Sequence, residues 1–169
     1  MKPSHLAALC LVSLAAHGQA PSAGCDSAES KQMDFWVGDW EASYTVNGAA
    51  VKSHNRVTKV LDGCAIFEEF TGPPATSLVG RSYSVFDRFS GQWKQTWVDN
   101  SGSYLDFVGG VVDGNRVFAR EFQRQGKTVK QRMVFRDVKP ESFKWLWQRS
   151  DDEGATWKTN WEIDYRRVK

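Results

Sequence analysis

From Trp40 onward, apolar and polar residues alternate, and turn dipeptides interrupt them at short intervals. A period of two turns one side of an extended strand toward a core and the other toward solvent. The segments with this pattern run over residues 40–47, 50–61, 64–71, 77–87, 92–99, 104–112, 115–124, 127–137, 142–149 and 157–167. Between them lie Asn47-Gly48, Asp62-Gly63, Gly72-Pro73-Pro74, Phe89-Ser90-Gly91, Asn100-Ser101-Gly102, Asp113-Gly114, Gln125-Gly126, Lys139-Pro140-Glu141 and the stretch Ser150 to Thr156. Asn-Gly and Asp-Gly favour tight hairpins because both central positions accept positive φ. Short connections make consecutive strands antiparallel neighbours, and closure of such a meander removes its edges. The pattern predicts an all-β fold, an up-and-down antiparallel barrel of about ten strands.

The stretch before Trp40 has a different rhythm. Residues 29–36, Glu-Ser-Lys-Gln-Met-Asp-Phe-Trp, suit one or two helical turns capped by Ser27 or Ser30, with Met33, Phe35 and Trp36 on the apolar side. In an even-stranded meander the first and last strands meet. The same end then carries this helical plug, Trp40, Cys64 and the close of the last strand. Cys25, just before the plug, falls beside Cys64.

The first residues, MKPSHLAALCLVSLAAHGQA, read as a signal peptide, with Lys2 ahead of an apolar run from Leu6 to Ala16 and cleavage after Gly18 or Ala20. The expected division is 1–20 signal, 21–30 flexible tail and 31–169 a single barrel domain. A secreted or periplasmic location follows, and no second run is long enough for a transmembrane segment. Cys10 leaves with the signal, so Cys25 and Cys64 remain as an even pair in an oxidising compartment, where a disulfide is favoured over two free thiols. The formal charge is only +2, with no basic run, which argues against nucleic acid as a partner.

Gly38-Asp39-Trp40 at the head of the first strand resembles the G-x-W signature of lipocalins. In that superfamily an Arg of the last strand covers the Trp. The resemblance implies this role for Arg167, which shares a face with Trp161, Ile163 and Tyr165. The pieces FWVGDW, LDGCAIFEEFTG, GRSYSVFDRFSGQWKQTWVDNSG and SDDEGATWKTNWEIDYRR resemble a family of secreted bacterial proteins with a lipocalin-like fold and no established activity. This resemblance spans nearly the whole chain after the signal. It implies a signal peptide, a Cys pair and a barrel. The stretch from Ser150 to Trp157 resembles a single Asp-box, a turn motif that sialidase propellers repeat; one copy reads as a rigid hairpin turn. Nitrobindin-like haem barrels take a His ligand near the C-terminus, and beyond the expected signal peptide this chain offers only His54, in its second strand.

No H-E-x-x-H, C-x-x-C, G-x-S-x-G or P-loop pattern occurs, so no catalytic residue, metal set or cofactor is predicted. Eight Trp and ten Phe are many for this length, and several large residues share strand faces: Trp93 with Trp97, Trp145 with Trp147, Phe118 with Phe122 and Met133 with Phe135. Such faces fill a core or line a cavity. Polar residues interrupt them. The 64–71 strand carries a glutamate on each face, so either Glu68 or Glu69 points inward. Gln95 falls between Trp93 and Trp97, and Arg120 falls between Phe118 and Phe122. Arg81 and Tyr83, beside Val85, are further inward candidates. These positions predict a binding site made of Glu68 or Glu69, Tyr83, Trp93, Gln95, Trp97, Phe118, Arg120, Phe122 and Trp147. Its occupant would be a small apolar molecule with one polar group. The alternatives are a filled barrel with a self-satisfied Glu–Arg pair, serving structure or interaction, and an enzyme using the interior Glu and Arg groups.

Overall fold

Ten antiparallel strands close into one barrel in the computed structural model, which describes residues 25–169. The expected signal peptide and the first part of the expected tail lie outside the described residues. The strands are β1 (Gly38–Val46), β2 (Ala49–Val60), β3 (Ala65–Thr71), β4 (Val79–Asp87), β5 (Gln92–Asp99), β6 (Tyr104–Val112), β7 (Asn115–Arg124), β8 (Lys127–Lys139), β9 (Ser142–Ser150) and β10 (Lys158–Arg167). Each pairs with its neighbours in sequence, and β1 pairs with β10 to close the ring. This closing seam joins Trp40 to Arg167, Glu41 to Arg166, Ala42 to Tyr165 and Ser43 to Asp164.

Turn chemistry sets the hairpins. Asn47-Gly48, Asp113-Gly114 and Gln125-Gly126 all have positive φ at both positions, which matches the twist of the strands that they join. The turn after β9 is held from within. The Ser150 hydroxyl donates to Asp152 Oδ1 at 2.6 Å, and Asp152 in turn accepts from the Thr156 amide and hydroxyl at 2.9 and 2.6 Å. Trp157 then lies 4.0 Å beneath the Arg132 guanidinium on the outer wall.

Two short 3₁₀ turns, Glu29–Lys31 and Asp34–Trp36, form the plug. Residues 25–30 are built into this end rather than left as a tail. Cys25 is bonded to Cys64 with Cα atoms 4.9 Å apart, and the Ser30 amide donates to Ser27 Oγ at 3.1 Å. Met33 and Trp36 are buried, and the Phe35 ring meets Phe135 and Phe143 edge-on.

Trp40 is fully buried at the plug end. Its indole N–H donates to the Trp36 carbonyl at 2.7 Å, and the Arg167 guanidinium lies 4.1 Å from the ring centroid. Arg167 also donates to the carbonyls of Phe35, Val37 and Pro140, so one side chain ties the plug, the entry to the first strand and the β8–β9 turn together. Gly38 leaves space for it. A Cβ there would stand 2.0 Å from the guanidinium, at a φ of +145°. The half of the barrel next to the plug is filled by Trp40, Val57, Ile66, Trp93, Phe118, Phe135, Phe143 and Ile163.

Candidate functional site

The other half of the barrel is not filled. A cavity of about 230 Å³ extends from Trp36 and Phe135, at its floor, to Leu78, Asp99 and Leu105, where it opens between the loops. Phe70, Trp97, Phe107, Met133, Trp145, Trp147 and Trp161 form its walls, and Glu68, Gln95 and Tyr165 supply polar atoms.

Alternation along each strand decides which side chains arrive there. On β3 the inward residues are Ile66, Glu68 and Phe70. Glu69 faces outward and forms an ion pair with Arg81 at 3.5 Å. On β4 the inward residues are Gly80, Ser82 and Ser84, so Arg81 and Tyr83 are outside rather than in the site. Tyr83 is 52 % exposed, and its ring lies 4.8 Å from Phe67 on the outer surface. The cause is Trp97. Its ring lies against the β4 backbone, where a Cβ on Gly80 would come within 2.0 Å of it. Only a glycine fits inward at that height, and this fixes the phase of the strand.

On β5, Trp93, Gln95 and Trp97 all face inward, at three depths. Trp93 is beneath the cavity, with its N–H donating to the Glu29 carbonyl at 3.1 Å. Gln95 and Trp97 line the cavity. Phe118 belongs to the filled half, whereas Trp147 is on the cavity wall. Arg120 and Phe122 share the inward phase of Phe118 but stand beside the cavity. The β6–β7 ladder runs only from Val108–Ala119 to Val112–Asn115, so the ends of the two strands separate just where Arg120 occurs. Its guanidinium lies 5.0 Å from the Phe122 ring and 5.9 Å from Phe107, with Nε buried and without a partner. The Glu–Arg pair expected as the filled alternative is therefore not formed inside the barrel.

The polar wall is a hydrogen-bonded belt. Asn55 Nδ2 donates to Glu68 Oε1 at 2.8 Å, and the Ser82 hydroxyl donates to Oε2 at 2.7 Å. Gln95 Nε2 donates to Ser84 Oγ at 2.9 Å, and Tyr44 and Ser53 share a bond of 2.7 Å. Burial raises Glu68 to about 7, and the bonds from Ser82 and Asn55 only partly oppose this. Burial, then the nearby Glu68 carboxyl, raises the Tyr165 phenol well above its ordinary value. Asn55 Oδ1 and Trp36 Nε1 are buried without a partner. Such orphan groups are costly and mark places where a further polar partner fits.

At the mouth, Asp99 accepts from Trp97 Nε1 at 2.9 Å and from the Ser101 and Ser103 amides, so the loop fixes the indole. Burial raises the Asp99 carboxyl, but the bonds from Ser101 and Trp97 outweigh it and hold the group well below the usual range. Among the described residues, no group of three His, Cys, Asp or Glu is placed to hold a metal ion.

Of the residues picked out in the sequence, Glu68, Gln95, Trp97 and Trp147 meet around the cavity. Sequence reasoning misses Trp36, Asn55, Ser82 and Asp99 at this site. A readable signal for part of this was the alternation Gly80, Ser82, Ser84, small residues opposite large indoles. Neither comparison with protein-family models nor comparison with curated proteins gives a match for the chain.

Proposed function

We propose that this barrel binds a small, largely apolar, planar molecule that carries a polar group. The observation that carries this reading is the open aromatic cavity with Glu68, Gln95 and Tyr165 on one wall. Cavities of about 150 Å³ lined by apolar side chains take benzene, so 230 Å³ suits a molecule of about nine non-hydrogen atoms. Flat indole walls favour a ring, and the polar wall orients it. The Cys25–Cys64 bond supports a secreted or periplasmic site of action, as does the resemblance to secreted lipocalin-like proteins.

Native mass spectrometry of protein purified from its own source tests the reading. A small extra mass is expected, and it should be lost in Leu105→Trp, which fills the mouth. A bare mass, together with no thermal stabilisation by any small aromatic compound, would overturn the proposal. Glu68 favours one second reading. A carboxyl that titrates near neutrality in a cavity suits general acid–base catalysis. Turnover of a bound compound that disappears in Glu68→Gln would distinguish an enzyme from a carrier.

A further inference from the structure

We infer that the occupant is a cation, a small ammonium compound held by the Glu68 carboxylate inside a cage of indoles. This rests on the binding reading above and adds the charge of the ligand to it.

The cavity has a one-sided charge. Its lining includes Glu68, Asp99 and Tyr165 as ionisable groups, and no Lys, Arg or His. Glu68 has only neutral donors for partners, Asn55 and Ser82. The cation that acts on it, Arg81, is on the outward face of β4, bonded to the Phe70 and Gly80 carbonyls and paired with Glu69. Glu68 is thus a buried acid, 7 % exposed, with an open cavity in place of a counter-ion. An uncompensated carboxylate in such a place is costly, and a ligand cation would remove that cost. Asn55, which bonds Glu68, also keeps a spare acceptor in Oδ1.

The rings point to the same chemistry. Trp145 and Trp147 stack nearly parallel, 9° apart, and Trp161 stands at 84° to Trp145. Phe70 faces Trp161 edge-on at 89°. Perpendicular aromatic walls around a carboxylate stabilise an ammonium through the negative faces of the rings, most strongly where water is excluded. An anion would instead meet Glu68 and Asp99. Arg120, a cation on the inward phase of β7, is stacked on Phe107 and Phe122 beside the cavity and does not line it.

Binding should therefore depend on pH through Glu68, because its carboxylate fades as pH falls below about 7. The groups facing it are Asn55 from β2, Ser82 from β4, Gln95 from β5 and Tyr165 from β10, with Arg81 acting from the outer side of β4 and Tyr44 of β1 acting on Tyr165.

Calorimetric titration with 2-phenylethylammonium, 2-phenylethanol and 3-phenylpropionate separates the possibilities on one carbon frame. At pH 8 the ammonium should bind at least about tenfold more tightly than the alcohol, and the carboxylate most weakly. Glu68→Gln, verified as folded by circular dichroism, should bring the ammonium to the alcohol's affinity. In the unaltered protein, lowering the pH to 5.5 should remove most of the ammonium's advantage over the alcohol, which tests the idea even if the variant fails to fold. Equal binding of ammonium and alcohol overturns the charge assignment and leaves the binding reading standing. Tightest binding by the carboxylate, lost in Arg120→Met, overturns it in favour of an anion. Binding of none of the three at millimolar concentration rejects the binding reading for ligands of this size, and this inference with it.

Discussion

Replacing Glu68 by Gln should make the empty barrel more stable in mild alkali. The carboxyl rises from an ordinary 4.5 to about 7 on folding, chiefly through burial. A raised carboxyl stabilises the fold fully below the unfolded value, and that contribution is lost as pH climbs through the folded value. At about 1.4 kcal/mol per tenfold change, the full swing is about 3 kcal/mol, of which about 2.5 kcal/mol falls between pH 5 and pH 8. The depressed carboxyls of Asp87, Asp99 and Asp152 act below this window. Glutamine keeps the shape and carries no charge. It turns one hydrogen bond around, at a cost of about 1 kcal/mol. Urea denaturation of both proteins at pH 5 and pH 8 gives a double difference in which other titrating groups cancel. The original protein should lose about 2.5 kcal/mol more than the variant over this range, with the variant the more stable at pH 8. An unchanged double difference, within about 0.5 kcal/mol, would refute the reasoning and mean that water reaches Glu68 freely.

Arg167→Ala should lower stability by about 3 kcal/mol in the same assay, since three carbonyls and the Trp40 face lose their partner. Arg167→Lys should fall between, and a loss below about 0.5 kcal/mol in the alanine variant would contradict the stapling role. Removing the Cys25–Cys64 bond by paired serines should cost up to about 4 kcal/mol for a separation of 39 residues, read from the urea midpoint. Gly80→Ala should push the Trp97 ring from its seat, altering the near-ultraviolet circular dichroism and costing about 1–3 kcal/mol; an unchanged spectrum would place the ring elsewhere.

The strands were legible because period-two alternation and turn chemistry agree at nearly every hairpin, as at Asp113-Gly114 between β6 and β7. Faces were legible wherever large apolar residues share one side, as with Trp93 and Trp97 or Ile163 and Tyr165. The same rule fails on β4. There the bulky side, Tyr83 and Val85, faces solvent, and the inward side is Gly80, Ser82 and Ser84. Hydrophobicity cannot see that the cavity wall opposite needs space more than it needs apolar surface. On β3 alternation left Glu68 and Glu69 equivalent, and only pairing with Ser82 and Asn55 separates them. Arg120 has the right phase but the wrong place, because the separation of β6 from β7 is a property of the closed barrel rather than of either strand.

The ring is zipped from neighbours except at one place. Nine ladders join strands adjacent in the chain, so each can form once its short hairpin has turned. The β1–β10 seam is the exception. Arg167 and Val37, which it brings together, are 130 residues apart. Closing a loop of that length directly costs roughly 3 kcal/mol more chain entropy than closing a four-residue hairpin. The seam is therefore the natural last step of folding, made after the growing meander has already shortened the distance. Arg167 bonds Phe35 of the plug and Val37 at the entry to the first strand, contacts that exist only once the circle is complete. Its side chain acts as a latch on a finished ring, slowing its opening while leaving the rate of its assembly largely untouched.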